Sequence, residues 1–187
     1  MSRQDFFEEY LDEAQEVSSR TGIKPSVILA VWAHETGGGT SRIFRENNNI
    51  AGIKYVGQAL ASGERYGHAV YNTVEDGIRD FERVVNLDYM RDVRRAESPR
   101  AQIREWCETP YATDPRYGEK VLNNWWKAYN MGKYDNGESN ESGEGMRVPG
   151  GTLFHTGGDE VRVKADKAAL MPAVLLVAGV ILLGMVE

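Results

Sequence analysis

Glu35 stands where an apolar helix runs out into glycine. It closes the run Pro25-Ser-Val-Ile-Leu-Ala-Val-Trp-Ala-His and is followed, after Thr36, by Gly37-Gly38-Gly39. A carboxyl group flanked by Trp32 and Ala33 loses hydration, and lost hydration disfavours its charged form. Raising a glutamate from its ordinary range to about 6 takes roughly 2.3 kcal/mol, which an apolar pocket supplies. The result is an acid still protonated near neutral pH, suited to protonating a leaving oxygen such as that of a glycosidic bond. The glycines leave room for a ligand beside it. From helical position alone, the commoner reading is a surface glutamate at a helix end.

Other chemistries find less support. There is one cysteine, Cys107, so no intramolecular disulfide forms, and His34, His68 and His155 are scattered without metal-ligand spacing. No cofactor and no metal are expected. The net charge is −6, with most of that net negative charge beyond residue 134. Neither part has the basic excess of a nucleic-acid binder.

The elements that must position Glu35 follow from periodicity. Residues 4–20 predict one amphipathic helix, with Phe6, Phe7, Tyr10, Leu11, Ala14 and Val17 as its stripe. Pro25 suits the first turn of a second helix, ending near Glu35. Residues 40–72 predict an irregular hairpin lobe, with β-like pieces at Ile50–Val56 and His68–Tyr71. Thr73 is placed to cap a helix through Asn86, with Glu75 and Asp76 in its first turn. Ser98-Pro99 opens another helix, and Asp114-Pro115 the last, with Asp114 as N-cap and Val121, Leu122, Trp125 and Tyr129 as the buried stripe. Trp125 and Trp126 cannot share a helix face, so one is core and the other a sugar-stacking surface or simply exposed. Five helices around a small β lobe make an α+β, mainly α fold.

The stretch Lys24-Pro-Ser-Val-Ile-Leu-Ala-Val-Trp-Ala-His-Glu-Thr-Gly-Gly-Gly-Thr-Ser41 resembles the glucosaminidase family of bacterial autolysins, flagellar peptidoglycan hydrolases and phage lysins. Asn48-Asn-Ile-Ala-Gly-Ile-Lys54, Tyr71-Asn-Thr-Val-Glu-Asp-Gly-Ile-Arg-Asp80 and Tyr111-Ala-Thr-Asp-Pro-Arg-Tyr-Gly-Glu-Lys120 follow in the family's order over roughly residues 10–130. The resemblance implies a lysozyme-like fold and hydrolysis of the β-1,4 bond after N-acetylglucosamine in peptidoglycan glycan strands, with Glu35 as general acid. Related folds with a similarly placed glutamate leave muramidase or lytic transglycosylase as the alternative. A non-catalytic wall-binding membrane protein is the reading outside enzymology.

The same resemblance places a second carboxylate, Glu64, in the hairpin lobe; the other reading of Glu64 is an exposed turn residue. A substrate-assisted route, with the N-acetyl group as nucleophile, would reduce the need for a second carboxylate. Tyr111 is expected to reach towards the acid or to be a half-buried packing tyrosine, and Asn49 and Tyr117 join it as substrate-binding candidates. Val31, Thr36, Gly38 and Ala51 depart from the family's Gln, Ser, Trp and Phe, and Trp32 is a candidate to offset the aromatic missing at 38.

The domain is expected over 1–131, followed by a polar linker over 132–167 with a possible small hairpin at 152–163. Residues 168–186 carry no formal charge, and as a helix they would span about 28 Å, close to the ~30 Å core of a bilayer. They are expected to form a single-pass C-terminal membrane anchor. Arg162, Lys164 and Lys167 precede it and only Glu187 follows, which keeps the N-terminal domain on the cytoplasmic side. The first residues lack a signal-peptide pattern. A wall hydrolase so placed meets its substrate if it is a virion-associated lytic enzyme of a bacteriophage, held in a virion or host membrane beside virion proteins.

Overall fold

The computed structural model describes residues 2–111 and 113–135. Helices α1 (Arg3–Glu9), α2 (Leu11–Thr21), α3 (Pro25–Thr36) and α4 (Arg42–Asn47) precede the hairpin β1 (Gly63–Arg65) and β2 (His68–Val70). Then come α5 (Val74–Val85), a 3₁₀ turn at Asp88–Met90, α6 (Arg91–Arg95), α7 (Pro99–Cys107) and α8 (Tyr117–Val121). A π-helical stretch, Leu122–Lys127, and a 3₁₀ turn, Met131–Asp135, end the described chain. The architecture is mainly helical α+β with one two-stranded sheet.

Helix α3 is the axis. Every residue from Ser26 to Ala33 is buried, as expected of a helix apolar on all sides. Helices α1, α2, α7, α8 and both turns at the chain's far end pack around it. Lys24 supplies no side-chain cap to α3. The cap comes instead from Asp135, whose Oδ1 accepts from the Ser26 N–H at 2.9 Å and whose Oδ2 accepts from the Ser26 hydroxyl at 2.8 Å. The Trp126 indole N–H also donates to that hydroxyl, at 2.8 Å. Residues 132–135 therefore belong to the folded domain, and the linker expected from 132 does not begin there.

Several local expectations are corrected. The helix expected over 4–20 breaks at Tyr10, which leaves helical geometry at φ −108°, ψ 14°. The Tyr10 ring packs on Phe6 and Phe44, and the bend turns Phe6, Phe7, Ala14 and Val17 all into the core. Ile50–Val56 is not a strand; Lys54 alone makes a bridge, to His68. Asp114 is not the cap of α8: that position is Arg116, and Asp114 instead accepts from the Arg116 N–H and from Lys120. Helices α4 and α6, each too short to show a period, add to the five expected. Thr73 and Ser98 do cap α5 and α7, and Trp125 is the core member of its pair.

Asparagines tie the lobe to the helices. Asn47 donates to the carbonyls of Arg65 and Ala69, and Asn48 to those of Tyr71 and Asn72. Asp80, fully buried on α5, accepts from the Tyr71 hydroxyl (2.6 Å), Gln58 (3.1 Å) and Arg83 (2.5 Å). A buried carboxylate is tolerable because each of these partners is present. The possible hairpin at 152–163 and the membrane helix at 168–186 lie outside the described residues. Among the described residues, no helix is long and apolar enough to cross a membrane.

Candidate active site

Glu35 lies in the last turn of α3. The helix ends at Gly37, and Gly37, Gly38 and Gly39 all take positive φ (62°, 70°, 85°). Three consecutive left-handed residues demand glycine. The loop is closed by the Gly38 N–H on the Ala33 carbonyl (2.8 Å) and the Ser41 N–H on the Thr36 carbonyl (2.7 Å).

The carboxyl is desolvated but not sealed. Burial raises its pKa to about 7, against smaller opposing pulls from the Tyr117 hydroxyl and the Lys54 ammonium. Tyr117, on α8, donates to Glu35 Oε1 at 2.8 Å. The other oxygen lies beside Gly52, where a Cβ would sit 2.6 Å from Oε2. Gly52 also has φ +63°, so its lack of a side chain serves both the turn and the acid. Tyr117 thus occupies one oxygen, and bare backbone leaves the other uncovered.

A shell of rings surrounds the pair. Tyr111 meets Trp106 edge-on (5.3 Å between centroids) and lies 6.4 Å from Tyr117, while His34 meets Tyr117 edge-on at 5.0 Å. Burial and the charge of Glu35 hold the Tyr111 and Tyr117 hydroxyls well above the usual tyrosine range, so both remain donors. Burial, with help from Lys120 and against the opposing pull of Asp114, lowers the His34 pKa.

Not every candidate joins this group. Tyr111 donates to the Ala51 carbonyl at 2.7 Å, pinning the loop that carries Gly52, rather than touching the acid. Asn49 is 1 % exposed; its amide donates to Ile53 and Ala69 carbonyls and accepts from the Ile53 N–H. Its side chain is committed to the fold, which corrects its reading as a substrate contact. Trp32 is corrected likewise: it is fully buried against Phe81 and presents no face to a ligand. What fills the space beside Gly38 is Arg3 and Trp125, whose atoms a Cβ there would meet at 2.8 and 3.4 Å. Glu64 is exposed on β1, opposite Ala69, and accepts from the Gly67 N–H at 2.6 Å, closing the hairpin turn. Gly52 and Lys54 had no assigned role; the Asn48–Lys54 motif was the only signal for them. Among the described residues no three metal-ligating side chains converge.

The glucosaminidase family, described as mannosyl-glycoprotein endo-beta-N-acetylglucosaminidase, matches residues 11–131. The peptidoglycan hydrolase FlgJ of Pseudomonas aeruginosa is 28% identical over 141 residues, which are 64% of this chain and 35% of that protein. The chain therefore spans about a third of the relative it matches. Among solved structures, an N-acetylmuramoyl-L-alanine amidase from Staphylococcus aureus has a TM-score of 0.60 at 21% identity, covering 74% of this chain and 45% of the other. The glycoside hydrolase domain of Salmonella typhimurium FlgJ gives 0.57 at 24% identity, over 71% and 92%. A peptidoglycan hydrolase from Sphingomonas sp. A1 gives 0.57 at 22%, over 74% and 98%. At these identities the likeness is one of fold, and it places the chain in the lysozyme-like architecture.

Proposed function

The chain belongs to the glucosaminidase family, and from that premise we propose that it hydrolyses the β-1,4 bond after N-acetylglucosamine in the glycan strands of peptidoglycan. The observation that carries the proposal is Glu35: a carboxyl whose burial raises its pKa to about 7, with a tyrosine on one oxygen and bare backbone beside the other. Protonated on Oε2, it delivers its proton to the glycosidic oxygen as the bond to the anomeric carbon breaks. The Tyr117 hydrogen bond then strengthens on the carboxylate left behind, so the acid is stabilised as it gives up its charge-neutral form. Water completes the reaction at the anomeric carbon. Glu64 on the hairpin lobe is the carboxylate proposed to activate it, and the substrate's own N-acetyl group is the alternative activator.

The tail supports a location for this activity. The uncharged stretch 168–186, preceded by Arg162, Lys164 and Lys167, suits a single-pass anchor. We place the domain on a virion or host membrane of a bacteriophage, delivered to the wall during infection.

The test is to digest purified peptidoglycan with the full chain in detergent and identify the new reducing ends by mass spectrometry. N-acetylglucosamine at the reducing end is the expected product. N-acetylmuramic acid there would make the protein a muramidase, and an anhydro end a transglycosylase. No released fragment, with the protein still sedimenting on the wall, would leave a binding protein without turnover.

A further inference from the structure

The hairpin turn carries a residue that its backbone does not want. Tyr66 and Gly67 form the two-residue connection between β1 and β2, both at positive φ (58° and 73°). Such turns take Asn, Asp or Gly at the first position, because a bulky side chain crowds its own backbone there. Here that position holds a tyrosine, and the surroundings hold it in place. The Arg42 guanidinium lies over its ring at 4.0 Å and also contacts its hydroxyl. The hydroxyl donates to Glu46 Oε2 at 2.7 Å, and Glu46 is paired with Arg42 at 3.0 Å. Arg65 ties in the same helix end by donating to the Glu46 carbonyl at 3.0 Å.

None of these contacts buries the ring. Tyr66 remains 45 % exposed, with Arg42 over one face of the ring. On the segment facing the turn, the Tyr55 N–H is directed to the Gly67 carbonyl at 3.5 Å, and Tyr55 and its neighbour Val56 are 41 % and 71 % exposed. Strain held in place by surrounding contacts marks a position kept for something other than the fold.

We infer that the Tyr66 ring, clamped by Arg42 and Glu46, is a saccharide-binding platform on the hairpin lobe that holds a stretch of glycan strand away from Glu35. A sugar ring offers an apolar face of C–H bonds and a rim of hydroxyls. The first fits an open aromatic face, and the second fits a carboxylate and guanidinium at its edge. The clamp removes the ring's rotamer freedom before the ligand arrives, so binding does not have to. The platform deepens the proposed glycan-strand function and rests on it for the identity of the ligand.

The test measures binding alone. The full chain in detergent, carrying Glu35→Gln so that nothing is cleaved, is titrated with purified insoluble peptidoglycan and the bound fraction is read by sedimentation. Adding Tyr66→Asn relieves the strained turn while removing the ring, so the melting temperature is expected to hold or rise. Affinity is expected to fall roughly tenfold, as on loss of an aromatic anchor. Tyr66→Trp, which keeps an aromatic face, is expected to restore it. Equal binding by the Tyr66→Asn protein overturns the platform, and so does absence of binding by the Glu35→Gln parent. Because no turnover is read, loss of binding with Tyr66→Asn supports the platform even if the wild-type chain proves unable to cleave the wall.

Discussion

At the scale of single residues, the site is a balance of one large push and two smaller pulls on Glu35. Burial drives its pKa up, and Tyr117 and Lys54 bring it part of the way back. Replacing Tyr117 with Phe removes a hydrogen bond that favours the carboxylate, so the pKa of the acid moves further up. The alkaline limb of the activity profile is then expected to shift to higher pH, and a limb that stays in place or moves down would show that the hydroxyl does not serve the carboxyl. Gly52→Ala tests the other oxygen. A methyl there would meet Oε2 at 2.6 Å on a backbone with φ +63°. The expected result is a loss of stability of about 1–2 kcal/mol from the left-handed strain and a fall in turnover of at least tenfold as the acid is displaced. Denaturant titration and a release assay read the two effects separately.

At the scale of elements, the helix that ends on the acid is held at its other end by the last described residue of the chain. Asp135 gives α3 the cap that Lys24 lacks. Asp135→Ala is expected to destabilise the fold by about 1 kcal/mol, the usual cost of losing an N-cap, and chemical denaturation would show it. How far such elements can be read from sequence depends on how local their causes are. Pro25, Thr73 and Ser98 act within one turn of themselves, and α3, α5 and α7 begin where those residues say. The break at Tyr10 arises from packing on Phe44, far along the chain, and no period in residues 4–20 reveals it. Trp32 was misread for a related reason: a helix apolar on every side gives no sign of which face meets the cleft, and this tryptophan faces Phe81. Asn49 stood correctly in its motif, yet its amide closes the loop on Ile53 and Ala69. The setting of Glu35 is legible because it is local, an apolar helix running out into three glycines. Tyr117 came only with the motif around Asp114, since its partner is 82 positions away.

At the scale of the whole molecule, a carboxyl kept neutral inside a fold makes stability depend on pH. The folded protein holds the Glu35 proton up to about 7, whereas 4.5 is the ordinary value. Below about 4.5 both states are protonated and the contribution is fully present. As pH rises towards and through 7, the unfolded chain gains by ionising while the folded one cannot, and about 3 kcal/mol is lost. Glu35→Gln removes that term. The variant is expected to be increasingly more stable than wild type between pH 5 and pH 8 by denaturant titration. A constant difference across that range would mean that the carboxyl is not held neutral. In the proposed reaction the same group governs turnover, and the most direct measurement is the rate of glycan-strand cleavage against pH for wild type and Glu35→Gln. Wild type is expected to lose activity as pH rises past about 7, as the acid form disappears, with the variant at least about a thousandfold slower throughout. A Glu35→Gln protein within tenfold of wild type, following the same pH dependence, would contradict the assignment of Glu35 as the acid.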